Sequence, residues 1–278
     1  MANMKEIKGH IKRINDTRKI TKAMYLISSA KFRNTKAQFL KFIPFFAQLE
    51  KQKNRIFSAL SSLDSPYFHR QSGKTALLVV TSDKGFAGEY NKNIIKAAKE
   101  QAEKSGGCDI FVIGEKGKTA FAGYPGYRAG FDYTMKAPDY GLSKEIAGYF
   151  TALFESGEYG EIRLIYTGIT DGTHPEVKNE VFLPLAPDED YGPGEEYEFF
   201  PDTQTVAREI LPLYIEGYMH SVLIQCCYSE HSLRMTAMDS AEKNAKKMVD
   251  ELTLQYNHLR QNSITQEITE IAGERKVK

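Results

Sequence analysis

Residues 205–271 read as one helix with a single proline, Pro212, near the start and a candidate C-cap at Gly273. From Ala237 the apolar positions are Ala237, Ala241, Ala245, Met248, Leu252, Tyr256 and Leu259. Their 4-4-3-4-4-3 spacing has an eleven-residue period, which predicts a nearly straight stripe in place of a strict heptad and leaves the coil's handedness open. A second long run opens the chain, from about residue 3 to about residue 60. Ile7, Ile11 and Ile14 share one face, and after a slip of phase Ile20, Met24 and Ile27 continue it. Pro44 interrupts this run, so a kink and a lost hydrogen bond are expected there. Neither helix is stable alone with one apolar stripe exposed to water. The intervening segment closes the chain between the two, so they should pair antiparallel, with partner numbers summing to roughly 265. Met24 then meets the region from Asp239 to Ala241, and the last turns of the second helix project beyond residue 1. Small residues allow close approach: Ala23, Ser28, Ser29 and Ala30 on one helix, Ala237, Ser240, Ala241 and Ala245 on the other.

The middle alternates strand and helix. TALLVVTS (75–82), CDIFVIG (108–114), EIRLIYTGI (161–169) and NEVFLPLAP (179–187) read as strands. Residues 91–104 and 142–157 read as helices, and KGKTAFAG begins a short one. This order predicts an α/β layer fold with a partly parallel sheet. The expected organisation is an N-terminal helix over 1–60, an α/β domain over 73–187, an acidic linker over 188–204 and a C-terminal helix over 205–278. The fold class is thus α/β: a long antiparallel coiled coil of terminal helices with a Rossmann-like domain inserted between them.

Charge is divided unevenly. Residues 1–60 hold 14 Lys or Arg against three acids, while the rest of the chain carries a net charge of −10. A basic arm on an acidic body seeks an acidic partner, whether nucleic acid, a membrane surface or a protein. Lys12, Arg13, Arg18, Lys19, Lys22, Lys31 and Arg33 are expected on the outside of the helix pair. No apolar run reaches the roughly 18 to 20 residues that span a bilayer, and the first residues lack a secretory signal's apolar stretch. The expectation is a chain that works where it is made or has lost a leader. Cys108, Cys226 and Cys227 suit neither a metal site nor a disulfide framework, and are expected as reduced, mostly buried thiols.

The search for chemistry returns little. GEKGKT (114–119) follows a strand, but a phosphate-binding loop needs a glycine where Val112 stands. DKGFAGEY has Gly85 and Gly88 without a dinucleotide-binding GxGxxG, and reads as a tight strand-to-helix turn. Six scattered histidines give no metal spacing. His231, four residues after Cys227, reads as a polar residue on a helix flank, not half of a nucleophile pair. No GxSxG is present. No catalytic residue, cofactor or metal ligand is therefore expected.

Three segments carry a resemblance. KEIKGHIKRINDTRKITKAMYLISSAKFRNTKAQ (5–38) resembles the N-terminal helix of the gamma subunit of F-type ATP synthases. SEHSLRMTAMDSAEKNAKKMVDELTLQYNHLRQNSITQEITEIAG (229–273) resembles that family's C-terminal helix, and TSDKGFAGEYNKNIIK (81–96) the loop and helix after its first strand. The matches follow family order over essentially the whole chain. The resemblance implies a bacterial-type rotor shaft. Its helices would turn inside a hexamer of alpha and beta subunits, and its α/β foot would sit on the membrane c-ring beside epsilon. It implies a non-catalytic subunit, peripheral to the cytoplasmic face of the plasma membrane, that couples ion flow to cycling of the beta subunits.

Carried across by position, Met24 with Lys22 and Arg33 faces the beta subunits' acidic lever loop, and Arg234 matches an Arg of an ARM-like segment. Arg260, Gln261, Thr265 and Glu267 match a polar cluster that meets loops lining the hexamer. A forked guanidinium suits carboxylate loops, and a basic helix suits an acidic sleeve. Asp83, Gly85, Gly88 and Glu89 form the corresponding foot loop. Glu89 replaces a usual glycine, Leu233 a usual alanine, and the tail GERKVK is unusually charged. No inserted loop with paired cysteines precedes the last helix, so thiol control of the chloroplast kind is not expected. The competing readings are a paralogous coiled-coil adaptor outside the synthase, against which the polar cluster speaks, and a nucleotide-binding enzyme, against which Val112 speaks. Nucleic-acid binding is disfavoured because the basic arm lacks interleaved exposed aromatics.

Overall fold

The computed structural model describes residues 4–59, 66–69, 73–131, 138–170, 174–187 and 197–274. The elements in order are α1 (Met4–Ala59), β1 (Lys74–Val80), α2 (Tyr90–Lys104), β2 (Cys108–Ile113), α3 (Glu115–Phe121), β3 (Tyr127–Phe131), α4 (Tyr140–Glu155), β4 (Tyr159–Thr170), β5 (His174–Leu183) and α5 (Thr203–Glu274). Contacts divide the chain into two compact units, Met1–Ser29 with Arg234–Lys278, and Ala30–Leu233. The acidic linker expected over 188–204 falls partly outside the described residues, which omit 188–196. Among the described residues no helix is long and apolar enough to cross a membrane.

The larger unit is built on a five-stranded sheet of order β3-β2-β1-β4-β5. The first four strands run parallel and β5 runs antiparallel to β4. The central strands are apolar on both faces because both are covered. On one face Leu78, Phe111, Leu164 and Tyr166 pack with Phe150 and Phe154 of α4, Leu49 and Ile56 of α1, and Ile215, Met219 and Leu223 of α5. On the other, Leu77, Val79, Ile110 and Val112 pack against Tyr90, Ile94 and Ala98 of α2 and Phe121 of α3. Cys108, Cys226 and Cys227 are free and buried in these cores.

Two strands differ from the sequence reading. YRAGF, unassigned from sequence, forms the edge strand β3 beside β2; it is short and interrupted by Gly130, which weakens its strand signal. β5 starts at His174 and stops at Leu183, before Pro184. Its first half offers one aliphatic residue, Val177, among polar and charged ones because it is an edge, and a proline cannot extend the ladder. As read from the sequence, α1 is a single helix that includes Pro44, and α5 one that includes Pro212.

The smaller unit pairs the two chain ends antiparallel. Arg18 Nε lies 3.5 Å from Glu242 Oε1, a register close to the one expected. Among the less exposed positions of α1, Ile7, Ile11, Ile14, Arg18, Thr21, Tyr25 and Ser28 form a seven-residue repeat, with Met24 half-buried at its flank. Of the three positions expected after the phase slip, Ile20 and Ile27 point outward, 61% and 59% exposed, and Met24 is half-buried; Thr21 and Ser28 carry the stripe. On α5 the inner positions are Met238, Glu242, Ala245, Val249, Leu252, Tyr256, Leu259 and Ser263. This too is a heptad pattern, the kind that winds left-handed, and Met248, counted in the eleven-residue stripe, is exposed. Of the small residues, Ser28 and Ala245 are buried, whereas Ala23, Ala30 and Ser240 face solvent.

One histidine ties α4 to α5. Ser143 Oγ, fully buried, lies 2.8 Å from His220 Nδ1 and 3.0 Å from the Asp139 carbonyl oxygen. Phe42 and Tyr140 meet the imidazole edge-on. Burial lowers the His220 pKa below its usual 6.5, against an opposing pull from Asp139. The folded state then binds the proton less well than the unfolded chain, so stability is lost as pH falls through 6.5. The melting temperature is expected to drop on acidification across this range, and His220→Gln to flatten that slope in a pH series of thermal unfolding curves. An unchanged slope in the variant would place the titration elsewhere.

Candidate functional site

The described residues contain no cluster of His, Cys, Asp or Glu able to hold a metal. GEKGKT is a packing device. Gly114 precedes α3 at φ 94°, and a Cβ there would lie 2.2 Å from the Thr81 carbonyl oxygen. Gly117 N–H donates to Thr81 Oγ1 at 2.9 Å, and that hydroxyl donates to the Ile113 carbonyl at 2.8 Å. The glycines bring α3 onto β1 and β2, where a phosphate loop would keep its N–H groups open. Cys227 and His231 are both buried, and burial pushes the Cys227 thiol well above its usual range. A neutral, enclosed thiol is no nucleophile.

The remaining surfaces suit partners. Met24 is half-buried in the smaller unit, and Lys22 and Arg33 are exposed on α1. Arg234 is 7% exposed, so this guanidinium is enclosed by its own chain. Arg260, Gln261, Thr265 and Glu267 lie together on the last turns of α5, all exposed. Thr265 Oγ1 donates to the Gln261 carbonyl oxygen at 2.9 Å, which orders the turn internally. On the same turns Ile264, Ile268 and Ile271 are 42%, 61% and 61% exposed. Their i, i+4, i+7 spacing makes one apolar stripe that the helix end leaves open to solvent. The polar residues were singled out from sequence and this stripe was not, although its periodicity was there to read.

The loop after β1 holds Asp83, Gly85, Gly88 and Glu89. Asp83 and Gly85 are half-buried, and Gly88 and Glu89 are exposed. Gly88 takes φ 58° with open space around it. Glu89 stands at the N-cap of α2 without capping it; its carboxylate lies 2.6 Å from Lys92 Nζ. That partner raises the Lys92 pKa. Between the glycines Phe86 sits at φ 64° with 69% of its surface exposed. A bulky residue in that backbone region is a strained outlier. Nothing in the residue string DKGFAGEY announces it, because the glycines beside it would be the natural hosts for positive φ.

A family model described as ATP synthase matches residues 3–274. The chain is 35% identical over 289 residues to the ATP synthase gamma chain of Macrococcus caseolyticus, with 98% of each chain covered. It is 36% identical over 290 residues to that of Acetivibrio thermocellus, with the same coverage. Among solved structures it resembles a chain of the Euglena gracilis mitochondrial ATP synthase, OSCP/F1/c-ring in rotational state 3. That match has a TM-score of 0.70 at 17% identity and covers 99% of this chain and 94% of that one. A chain of the Tetrahymena thermophila mitochondrial ATP synthase central stalk and c-ring matches with a TM-score of 0.60 at 20% identity, covering 80% and 99%. At these identities the solved structures speak to the fold. The sequence matches go further, and on them the chain belongs to the ATP synthase gamma chain family.

Proposed function

We propose that this chain is the central rotor stalk of a bacterial F-type ATP synthase, coupling ion flow through a c-ring to conformational cycling of catalytic beta subunits. The observation that carries the reading is the end of α5, exposed all round and carrying an apolar stripe beside a polar cluster. Such a helix end is a poor investment of surface unless a sleeve encloses it. Residues 1–60 and 205–278 would form the shaft, 73–187 the foot and 188–204 the linker between them. Met24, Lys22 and Arg33 would face the beta subunits' acidic lever. Arg260, Gln261, Thr265 and Glu267 would meet loops of the alpha–beta hexamer. Arg234, enclosed by its own chain, would support the helix from within. The loop with Asp83, Gly85, Gly88 and Glu89 would lie on the foot's partner surface, where the c-ring and epsilon dock.

In this role the chain performs no bond chemistry. Its work is to contact each beta subunit differently, so that nucleotide states are biased in turn. The chain would lie peripherally at the cytoplasmic face of the plasma membrane. Reconstitution tests the reading. Mixed with alpha and beta subunits from the same cell, the chain should form a complex with one copy per hexamer and raise multi-site ATP hydrolysis well above that of the hexamer alone. A folded chain that forms no complex would shift the assignment to a free coiled-coil adaptor.

A further inference from the structure

Within the larger unit, β4 and β5 meet α1 and α5 at a cleft of about 710 Å³. Its walls include the rings of Phe46, Phe68, Tyr166, Tyr214 and Tyr218. Phe46 stacks on Tyr214 and Tyr218 at 5.6 and 6.1 Å between ring centres. The polar focus is Glu180 on the edge strand. Its Oε2 accepts hydrogen bonds from Tyr166 Oη and Tyr218 Oη, each at 2.7 Å. Burial holds both phenols far above their ordinary pKa, so both keep their protons. Each phenol has one proton, and both protons are committed to Glu180. Tyr166 is itself buried, so Tyr218 Oη and Glu180 Oε1 are the acceptors left for a group that enters.

The chain's own ammonium groups already use these surfaces. Lys53 Nζ lies 5.2 Å from the centre of the Tyr214 ring. Lys178 Nζ lies 3.6 Å from Glu180 Oε1, with both side chains partly exposed. Glu50 and Glu161 also line the cleft, the latter paired with Arg163 at 3.1 Å. Three carboxylates against two lysines, with the phenol acceptors, disfavour an anion, and aromatic faces favour a cation. We propose that this cleft binds a primary ammonium ion with an apolar or aromatic body. The ammonium takes the place of Lys178 at Glu180 Oε1, and Lys178 turns to solvent. The body lies against the Phe46, Phe68 and Tyr218 rings. The charge balance of the cleft is unchanged by the exchange, and a long, part-exposed ion pair is weak enough to be displaced.

The probe is 2-phenylethylammonium chloride, titrated calorimetrically into the full chain. Neutral 2-phenylethanol and anionic 3-phenylpropionate serve as comparisons. The ammonium should bind saturably and at least about tenfold more tightly than the alcohol, as a charge-assisted hydrogen bond requires. Lys178→Met removes the internal competitor and should tighten binding severalfold. Glu180→Gln retains an acceptor for the phenols and should weaken binding by about tenfold or more. Equal affinity for ammonium and alcohol would overturn the proposal. So would weaker binding by Lys178→Met, or no saturable binding up to about 10 mM. The exposed Lys178 variant carries the test even where Glu180→Gln disturbs folding.

Discussion

A Gly114→Ala chain is expected to melt about 10 °C below the parent, because the larger unit should lose about 3–5 kcal/mol. Two effects combine. The backbone at Gly114 takes φ 94° and ψ 140°, a region closed to residues with a Cβ. The added methyl would also lie 2.2 Å from the Thr81 carbonyl oxygen, a rigid backbone atom that cannot turn aside. Relief requires α3 to retreat from β1, which pulls Gly117 N–H off Thr81 Oγ1 and opens the packing around Phe121. Gly148, exposed inside α4 with nothing within 4 Å of an added Cβ, gives the control. Gly148→Ala should stabilise the same unit by about 0.5–1 kcal/mol through helix propensity. Thermal unfolding of the two variants beside the parent checks both signs. A Gly114→Ala chain as stable as the parent would mean that the α3 junction is loose.

The central strands could be read from sequence because burial on both faces leaves continuous apolar runs. ALLVV and IFVI have few other uses in a chain of this composition. The edge strands carry no such run: β3 is five residues with a glycine, and the first half of β5 has Val177 as its one aliphatic residue. The phase of the coil was harder for a different reason. Hydropathy reports every apolar face, whether it is covered by this chain or by another. Ile20, Ile27, Ile264, Ile268 and Ile271 are strong apolar signals that face outward, while Thr21, Ser28 and Glu242 occupy the inner stripe. On α5 the eleven-residue period comes from counting the exposed Met248 and passing over the inner Glu242 and Val249. The candidate polar contacts came from motif resemblance and do lie exposed on α5, Arg234 apart. The strained Phe86 was invisible because backbone dihedrals of non-glycine residues leave no mark in composition.

Replacing Ile264, Ile268 and Ile271 together by Gln should leave the free chain's melting curve unchanged and weaken its assembly with the alpha–beta hexamer at least about 100-fold. The first half of the expectation follows from exposure. These side chains bury little of their surface in the chain itself, so removing them forfeits little folding energy. Glutamine has good helix propensity, so the helix should persist. The second half follows from the proposed sleeve. Burying an isoleucine stabilises a complex by about 1.5–3 kcal/mol. Three of them in one stripe give several kcal/mol even after the entropic costs of docking are discounted. A 100-fold change requires only about 2.8 kcal/mol of that sum. Arg260→Ala alone, at the rim of the same turns, should change affinity far less if its contacts are shallow, as a shaft that must turn requires. Circular dichroism with thermal melts reads the first outcome, and sedimentation of mixtures with the hexamer reads the second. A triple variant that melts like the parent and still co-sediments with the hexamer at parental affinity would remove the apolar stripe from the interface. The polar cluster alone would then have to hold the end of the shaft.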